Sequence, residues 1–309
     1  MDYMLNISTN ITRKILETLW NYGCDLFLNE ELADHVNFKL GGKVPLFAIP
    51  NSTNGFIETI NLLNKEGIEF RIIGRGTNIL PVDEPLPYVV VSTERMDDVF
   101  VDNEKIQVGA GLSFKKLCLV ALENELSGFE NAFGLPGSVG GAVYMNAGCY
   151  GWETAENIVE VVAFDGKDII KLGKNEIGFG YRTSIFKSEK NLIILQATFK
   201  LKKGNKNEIY NLMLETMKKR YEKQPLEFPS AGSVFKRPRP DFYVGTAIES
   251  LGLKGFSIGG AQISEKHAGF IINKGGAKAE DVLKLIEYVK DKVREKYNVE
   301  LETEIEIWK

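Results

Sequence analysis

The chain has 309 residues, 44% of them hydrophobic, and a formal net charge of −4, enough for more than one packed domain and lacking the basic excess of a nucleic-acid binder. Its three cysteines, Cys24, Cys118 and Cys149, are widely spaced and show no C-x-x-C pairing, which argues against a disulfide framework or zinc site and for a cytoplasmic setting. No apolar run approaches the roughly 18 residues of a membrane span. The opening "MDYMLNISTNITRK" has neither the basic flank nor the apolar core of a signal peptide, so the sequons at Asn6, Asn10 and Asn51 read as chance matches.

The pattern predicts a helix followed by a βαβ unit. Ile15, Leu19 and Tyr22 recur at helical spacing, and Gly23 stops that helix. "LFAIP" reads as a strand, Phe56, Ile60 and Leu63 line a second helix closed by Gly67, and "FRII" is the next strand. It runs into "GRGTN", residues 74–78, at the carboxyl end of a strand, where α/β sheets tend to bind ligands. From about 92 to 201 short strands mix with one helix, 114–125, whose expected N-cap is Ser113. That region holds a glycine-dense block, 128–151, and then Asp165-Gly166 between two apolar runs, a two-residue hairpin signal. Past Gly204 the composition shifts to Lys, Glu and Asn, and a helix carries Ile209, Met213 and Met217. The last third ends in an amphipathic helix with Val282, Ile286, Val289 and Val293 on one face, then a terminal strand "ELETEIEIW". These shifts divide the chain into domains at 1–91, 92–203 and 204–309.

"GRGTN" fails as a dinucleotide fingerprint: the third glycine is absent, and Pro81, Pro85 and Pro87 forbid the receiving helix. What remains is either a plain turn or a compact loop whose amides, with Thr77 and Asn78 as extra donors, wrap an anion. The block "FGLPGSVGGAVYMNAGCYG" carries glycines at 134, 137, 140, 141, 148 and 151. Each costs about 0.5–1 kcal/mol relative to alanine in regular structure. A turn-rich core is one justification, and a loop pressed against a large flat ligand is the other. Two such loops fit one elongated cofactor, its pyrophosphate on backbone amides and its ring system covered by small residues. In "PSAGSVFKRP", Ser233 follows Gly232, while Ala231 and Phe235 stand where an esterase elbow needs glycine. Ser233 is therefore an ordinary loop serine or one whose chemistry is not acyl attack. His35 and His267 are the only histidines, leaving two possible bases for a hydrolase triad.

Seven collinear segments, "GGKVPLFAIP", "FRIIGRGTNIL", "FENAFGLPGSVGGAVYMNAGCYG", "GYRTSIFK", "PSAGSVFKRP", "GGAQISEKHAGFIIN" and "LETEIEI", together resemble the UDP-N-acetylenolpyruvoylglucosamine reductase family, flavoenzymes of peptidoglycan precursor synthesis. The resemblance spans nearly the whole chain. It implies an α+β fold: a two-subdomain FAD-binding domain of the vanillyl-alcohol-oxidase (PCMH) type, then a C-terminal α+β substrate domain. It implies noncovalent FAD, NADPH as reductant and a UDP-sugar substrate, with no nucleic-acid partner. Matched residue by residue, the implied catalytic groups are Arg182, Ser233 and Glu304. The cofactor positions are Gly74, Arg75, Gly76, Thr77, Asn78 and Ile79, then Gly134, Pro136, Gly137, Ser138, Gly140, Gly141, Ala142, Asn146, Ala147 and Gly148. The implied substrate positions are Tyr181, Lys223, Lys236 and His267. The chain resembles the family's shorter class, without its extra substrate-covering loop. Thr77 stands where serine is usual, and "PVDEPLP" is short and proline-rich; Glu302, two residues from Glu304, is the competing carboxylate.

The implied reaction adds a hydride to the methylene carbon of a vinyl ether conjugated to a carboxylate, leaving negative charge delocalised as an enediolate. Such an intermediate needs a fixed cation at the carboxylate, which Arg182 supplies with a planar fork that never deprotonates. It also needs a proton, and an enediolate is basic enough to take one from the Ser233 hydroxyl, with Lys223 or Lys236 favouring the transient alkoxide. Glu304 polarises the double bond or, protonated by burial, donates a hydrogen bond. Rival readings are a flavin oxidase that makes peroxide, a colourless serine hydrolase, and a sugar-nucleotide binder that never oxidises NADPH.

Overall fold

The computed structural model describes residues 11–189 and 191–309. The first ten residues, with the sequons at Asn6 and Asn10 and most of the stretch weighed as a leader, lie outside them. The chain forms two compact units: one of residues up to Glu30, Val44–Arg75 and Pro87–Lys218, the other of Glu31–Lys43, Gly76–Leu86 and Lys219–Lys309.

The first unit opens with a four-stranded sheet in the order Cys24–Glu31, Lys43–Pro50, Val89–Ser92, Phe70–Ile73. The two strands of the expected βαβ unit are not neighbours, because Val89–Ser92 lies between them and runs parallel to both. Val89, Val90 and Val91 are fully buried, the continuous apolar run of a parallel strand covered on both faces. The helix Thr53–Lys65 starts at Ser52, whose hydroxyl accepts the Gly55 N–H at 3.0 Å. It buries Phe56, Ile60 and Leu63 beside Ile15 and Leu19 of the helix Arg13–Asn21.

The same unit contains a five-stranded antiparallel sheet, ordered Ile169–Gly173, Ile158–Phe164, Ile193–Lys200, Lys105–Gly109, Val99–Asp102. The helix Phe114–Glu123 joins its core, where Phe114, Phe129, Trp152 and Phe199 pack edge to face. Ser113 caps that helix as expected, accepting the Lys116 N–H at 3.2 Å. The Asp165-Gly166 hairpin has a four-residue loop rather than two, since Phe164 pairs with Ile169. The Asp165 carboxylate sets that length by accepting the N–H groups of Lys167 and Asp168, both at 2.8 Å, bonds that hold its pKa below the ordinary carboxylate value.

The helix Lys206–Lys223 contains the boundary between the units. Its buried positions are Ile209, Met213, Thr216 and Arg220, while Met217, expected on the same face, is only half-buried.

The second unit has a sheet ordered Ser230–Ser233, Phe270–Asn273, Ala261–Ile263, Ser257–Ile258. Its core takes Val282, Ile286, Val289 and Val293 from the helix Ala279–Tyr297, and Phe38, Leu40 and Leu80 from the two early segments. The proline-rich stretch after the first glycine loop is part of this frame. Ile79–Pro81 pairs in parallel with Glu306–Trp308, and the Asp83 carboxylate accepts the Ala279 and Glu280 N–H groups at 2.9 and 3.0 Å, capping the long helix. The expected terminal strand is correspondingly short, Glu306–Trp308, with residues 301–305 irregular.

Candidate active site

In the first unit the two glycine loops meet. A Cβ built on Gly74 falls 2.2 Å from the Ser138 Oγ, and that hydroxyl caps the short helix Val139–Tyr144 by accepting the Gly141 N–H at 3.2 Å. A Cβ on Gly140 would press on Ala110, and one on Gly148 would fall 2.7 Å from the Trp152 carbonyl. The glycines at 74, 140 and 148 are therefore demanded by contacts within the protein, not by a flat ligand alone. Ala142 and Ala147 are buried, whereas Pro136 and Gly141 are exposed.

Arg182 belongs to the same unit and sits in a turn where Gly180 and Thr183 form an isolated bridge. Its φ of 56° is left-handed, a conformation costing a non-glycine residue roughly 1–2 kcal/mol. The second glycine block holds this turn at three points. Arg182 Nη2 donates to the Gly148 carbonyl at 3.0 Å, Asn146 Nδ2 to the Gly180 carbonyl at 2.9 Å, and Ser184 Oγ to the Tyr144 carbonyl at 2.6 Å. Asn146 is buried, and its amide also engages Glu153 and the Ala155 N–H. Its side chain thus serves the protein itself, a use no local pattern reveals because its partners lie at 153, 155 and 180. The Arg182 guanidinium stacks over the exposed Tyr181 ring, 5.1 Å from its centre.

The second unit brings Ser233, Lys236, Glu302, Glu304 and Asn78 together. Ser233 ends a strand that pairs with Phe270–Asn273 through an irregularity between Ser230 and Ser233. Gly232 makes this kink at φ 79°. Ser233 is exposed between half-buried Gly232 and buried Val234, and its hydroxyl has no hydrogen-bond partner among the described residues. The next residues run between two stretches of chain. Val234 N–H donates to the Gly269 carbonyl at 2.9 Å, Glu304 N–H to the Val234 carbonyl at 2.7 Å, and Lys236 N–H to the Glu302 carbonyl at 2.9 Å.

The two carboxylates differ in surroundings. Glu302 is exposed and paired with Lys236 at 3.1 Å, while Glu304 is half-buried. The Glu304 carbonyl accepts from Asn78 Nδ2 at 3.1 Å. His267 adjoins the strand that pairs with Ser233. Its Nδ1 accepts the Gly269 N–H at 3.1 Å, its ring meets Phe270 edge-on, and burial pushes its pKa below 6.5. Lys223 is exposed at the end of its helix, with no ion-pair partner among the described residues.

In the first unit the N–H groups of Gly74, Arg75, Gly137 and Ser138 find no acceptor among the described residues, a donor set that fits a charged pyrophosphate. In the second unit those of Gly76, Thr77 and Asn78 find none either. Gly76 is buried, and a buried N–H left without an acceptor is costly. A Cβ on Gly76 would fall 2.4 Å from the His35 carbonyl, so this position admits glycine only.

Residues 44–168 match the family described as FAD binding domain, and residues 224–308 the family described as UDP-N-acetylenolpyruvoylglucosamine reductase, C-terminal domain. The chain is 56% identical to UDP-N-acetylenolpyruvoylglucosamine reductase of Thermosipho melanesiensis, over 96% of its own length and 100% of the relative's. It is 53% identical to the enzyme of that name from Thermotoga maritima, over 90% and 97%. Its structure resembles the crystal structure of UDP-N-acetylenolpyruvylglucosamine reductase from Thermus caldophilus with a TM-score of 0.77 at 33% identity, covering 93% of this chain and 99% of that one. With an FAD-binding domain ahead of the family's own C-terminal domain, and relatives matched almost end to end, the chain belongs to the UDP-N-acetylenolpyruvoylglucosamine reductase family.

Proposed function

We propose that the protein reduces UDP-N-acetylglucosamine enolpyruvate to UDP-N-acetylmuramate with NADPH, through FAD, in the cytoplasm where sugar nucleotide and reductant are made. When bound, FAD supplies to the substrate's methylene carbon a hydride taken from NADPH. The chain's own residues then manage the charge this creates. Arg182 holds the substrate carboxylate, which bears the growing enediolate charge, and Ser233 gives its hydroxyl proton to the adjacent carbon. Glu304 polarises the double bond, and Lys236, shared with Glu302, offsets charge on the serine oxygen. Tyr181, Lys223 and His267 contribute to substrate binding, His267 as a neutral imidazole. Residues 1–91 and 92–203 act as the two cofactor subdomains and 204–309 as the substrate domain, with residues 31–43 and 76–86 contributed to the C-terminal unit.

The observation that carries this assignment is Ser233 itself. It is an exposed hydroxyl with no partner among the described residues, raised on a glycine kink and joined through Val234 to Glu304. The half-buried, doubly bonded backbone of Glu304 favours it over the exposed, ion-paired Glu302 as the catalytic carboxylate. The test is NADPH consumption by the flavin-loaded protein with and without the enolpyruvyl sugar nucleotide. Oxidation that requires this substrate, with parallel initial-rate lines for the two substrates, is the expected result. Oxidation that proceeds equally without it, with peroxide formed, would establish the oxidase alternative.

A further inference from the structure

The expectation for Asn78 is a donor to the cofactor, yet its side-chain amide points a hydrogen bond at the carbonyl of Glu304, 3.1 Å away and 226 residues along the chain. The backbone supports the same junction, because the Glu306 N–H donates to the Asn78 carbonyl at 2.9 Å. Residues 301–305 form no regular strand, and the terminal ladder begins only at Glu306. The main chain of Glu304 is held between two bonds, its N–H on the Val234 carbonyl next to Ser233 and its carbonyl on Asn78. Leu301 and Ile305 are buried on either side and anchor the segment.

We infer that Asn78 is a positioning residue for Glu304, fixing the peptide that aims the carboxylate; this rests on the assignment of Glu304 proposed above. A side-chain amide carries two N–H donors and an acceptor oxygen, so the bond to Glu304 leaves one donor and the oxygen for the loop's own ligand. Aspartate has the same shape but no donor, which makes it the discriminating substitution.

The test compares flavin-loaded Asn78→Ala, Asn78→Asp, Glu304→Gln and the Asn78→Ala/Glu304→Gln double variant by rapid mixing. The rate of flavin reoxidation by UDP-N-acetylglucosamine enolpyruvate is expected to fall by about 10–100-fold in both Asn78 variants, the size of effect produced by misplacing a reacting group by about 1 Å, and about tenfold more than reduction by NADPH falls. Because Asn78 acts through Glu304, the double variant should lie within about twofold of Glu304→Gln alone. In the flavin-free protein, the Glu304 amide hydrogen should exchange faster in Asn78→Ala than in the parent. Fully multiplicative effects in the double variant, equal slowing of both half-reactions, or unaltered exchange would overturn the inference. Glu304→Gln impaired with both Asn78 variants at parental speed removes the positioning role alone. Glu304→Gln at parental speed removes the glutamate assignment and this inference with it.

Discussion

Replacing Gly74 with alanine isolates the contact that joins the two glycine loops. Gly74 does not have a left-handed φ, so alanine meets no conformational penalty and by chain entropy alone would stabilise by about 0.4–1 kcal/mol. The obstacle is steric: the new methyl would lie 2.2 Å from Ser138 Oγ and 3.1 Å from Ser138 Cβ. Swinging the hydroxyl away relieves the first contact and removes the cap on the Gly141 N–H, a loss of about 1 kcal/mol. The second contact remains as overpacking of a buried site, about 1–3 kcal/mol. The net expectation for Gly74→Ala is destabilisation by about 2–3 kcal/mol, since the entropy gain offsets part of these two terms.

The partner substitution makes the reasoning testable. Ser138→Gly removes both offending atoms, and glycine at an N-cap costs only a few tenths of a kcal/mol relative to serine, roughly 0.3. Thermal unfolding of the flavin-free proteins, followed by circular dichroism, should lower the midpoint of Gly74→Ala by several degrees, at about 2–4 °C per kcal/mol. The midpoint should recover most of that loss in Gly74→Ala/Ser138→Gly. A double variant as unstable as Gly74→Ala, or worse, would refute the steric account.

Arg182→Lys keeps the positive charge but loses the planar fork and the bond to the Gly148 carbonyl; turnover should fall about 100–1000-fold while flavin remains bound, and a drop below tenfold would count against the assigned role. Gly232→Ala adds a methyl where no atom lies within 4 Å, so its cost comes from φ 79° alone, about 1–2 kcal/mol. Relaxation of that strain should displace Ser233 and lower kcat by about 100-fold, whereas unchanged kcat would show that the kink does not aim the serine. For His267, burial lowers the pKa, so the fold prefers the neutral ring. Its stabilising contribution is therefore complete above the unfolded value near 6.5 and is lost as pH falls through the lower folded value. Urea titrations of His267→Asn should show a shallower loss of stability below pH 6.5 than the parent, and identical acid limbs would exclude this histidine as their source.

Local patterns identified the longer helices, each of which carries its own apolar stripe, but not the short Val139–Tyr144 inside the glycine block or Val244–Ser250. Phe56, Ile60 and Leu63 are all fully buried, and Ser113 caps where expected. Register and strand order depend on distant residues and were not legible. Nothing in "VVVS" says that it inserts between two earlier strands, and nothing in residues 31–43 or 76–86 says that they complete the C-terminal unit. The candidate site divides in the same way. Ser233 stands out locally because Gly232 precedes it, whereas the Asn78 bond to Glu304 spans 226 residues. Three glycines of the candidate cofactor loops, at 74, 140 and 148, are explained by protein contacts at Ser138, Ala110 and Trp152, information that composition cannot carry.

The central claim is that the Ser233 hydroxyl supplies the proton that completes the reduction. The direct measurement is a single turnover: parent and Ser233→Ala, loaded with FAD and reduced anaerobically by NADPH, are mixed with UDP-N-acetylglucosamine enolpyruvate while flavin absorbance is followed. Ser233→Ala should accept electrons from NADPH at the parental pace and then return them about 10²–10⁴-fold more slowly, the range contributed by a positioned acid. Reoxidation at the parental rate would contradict the account.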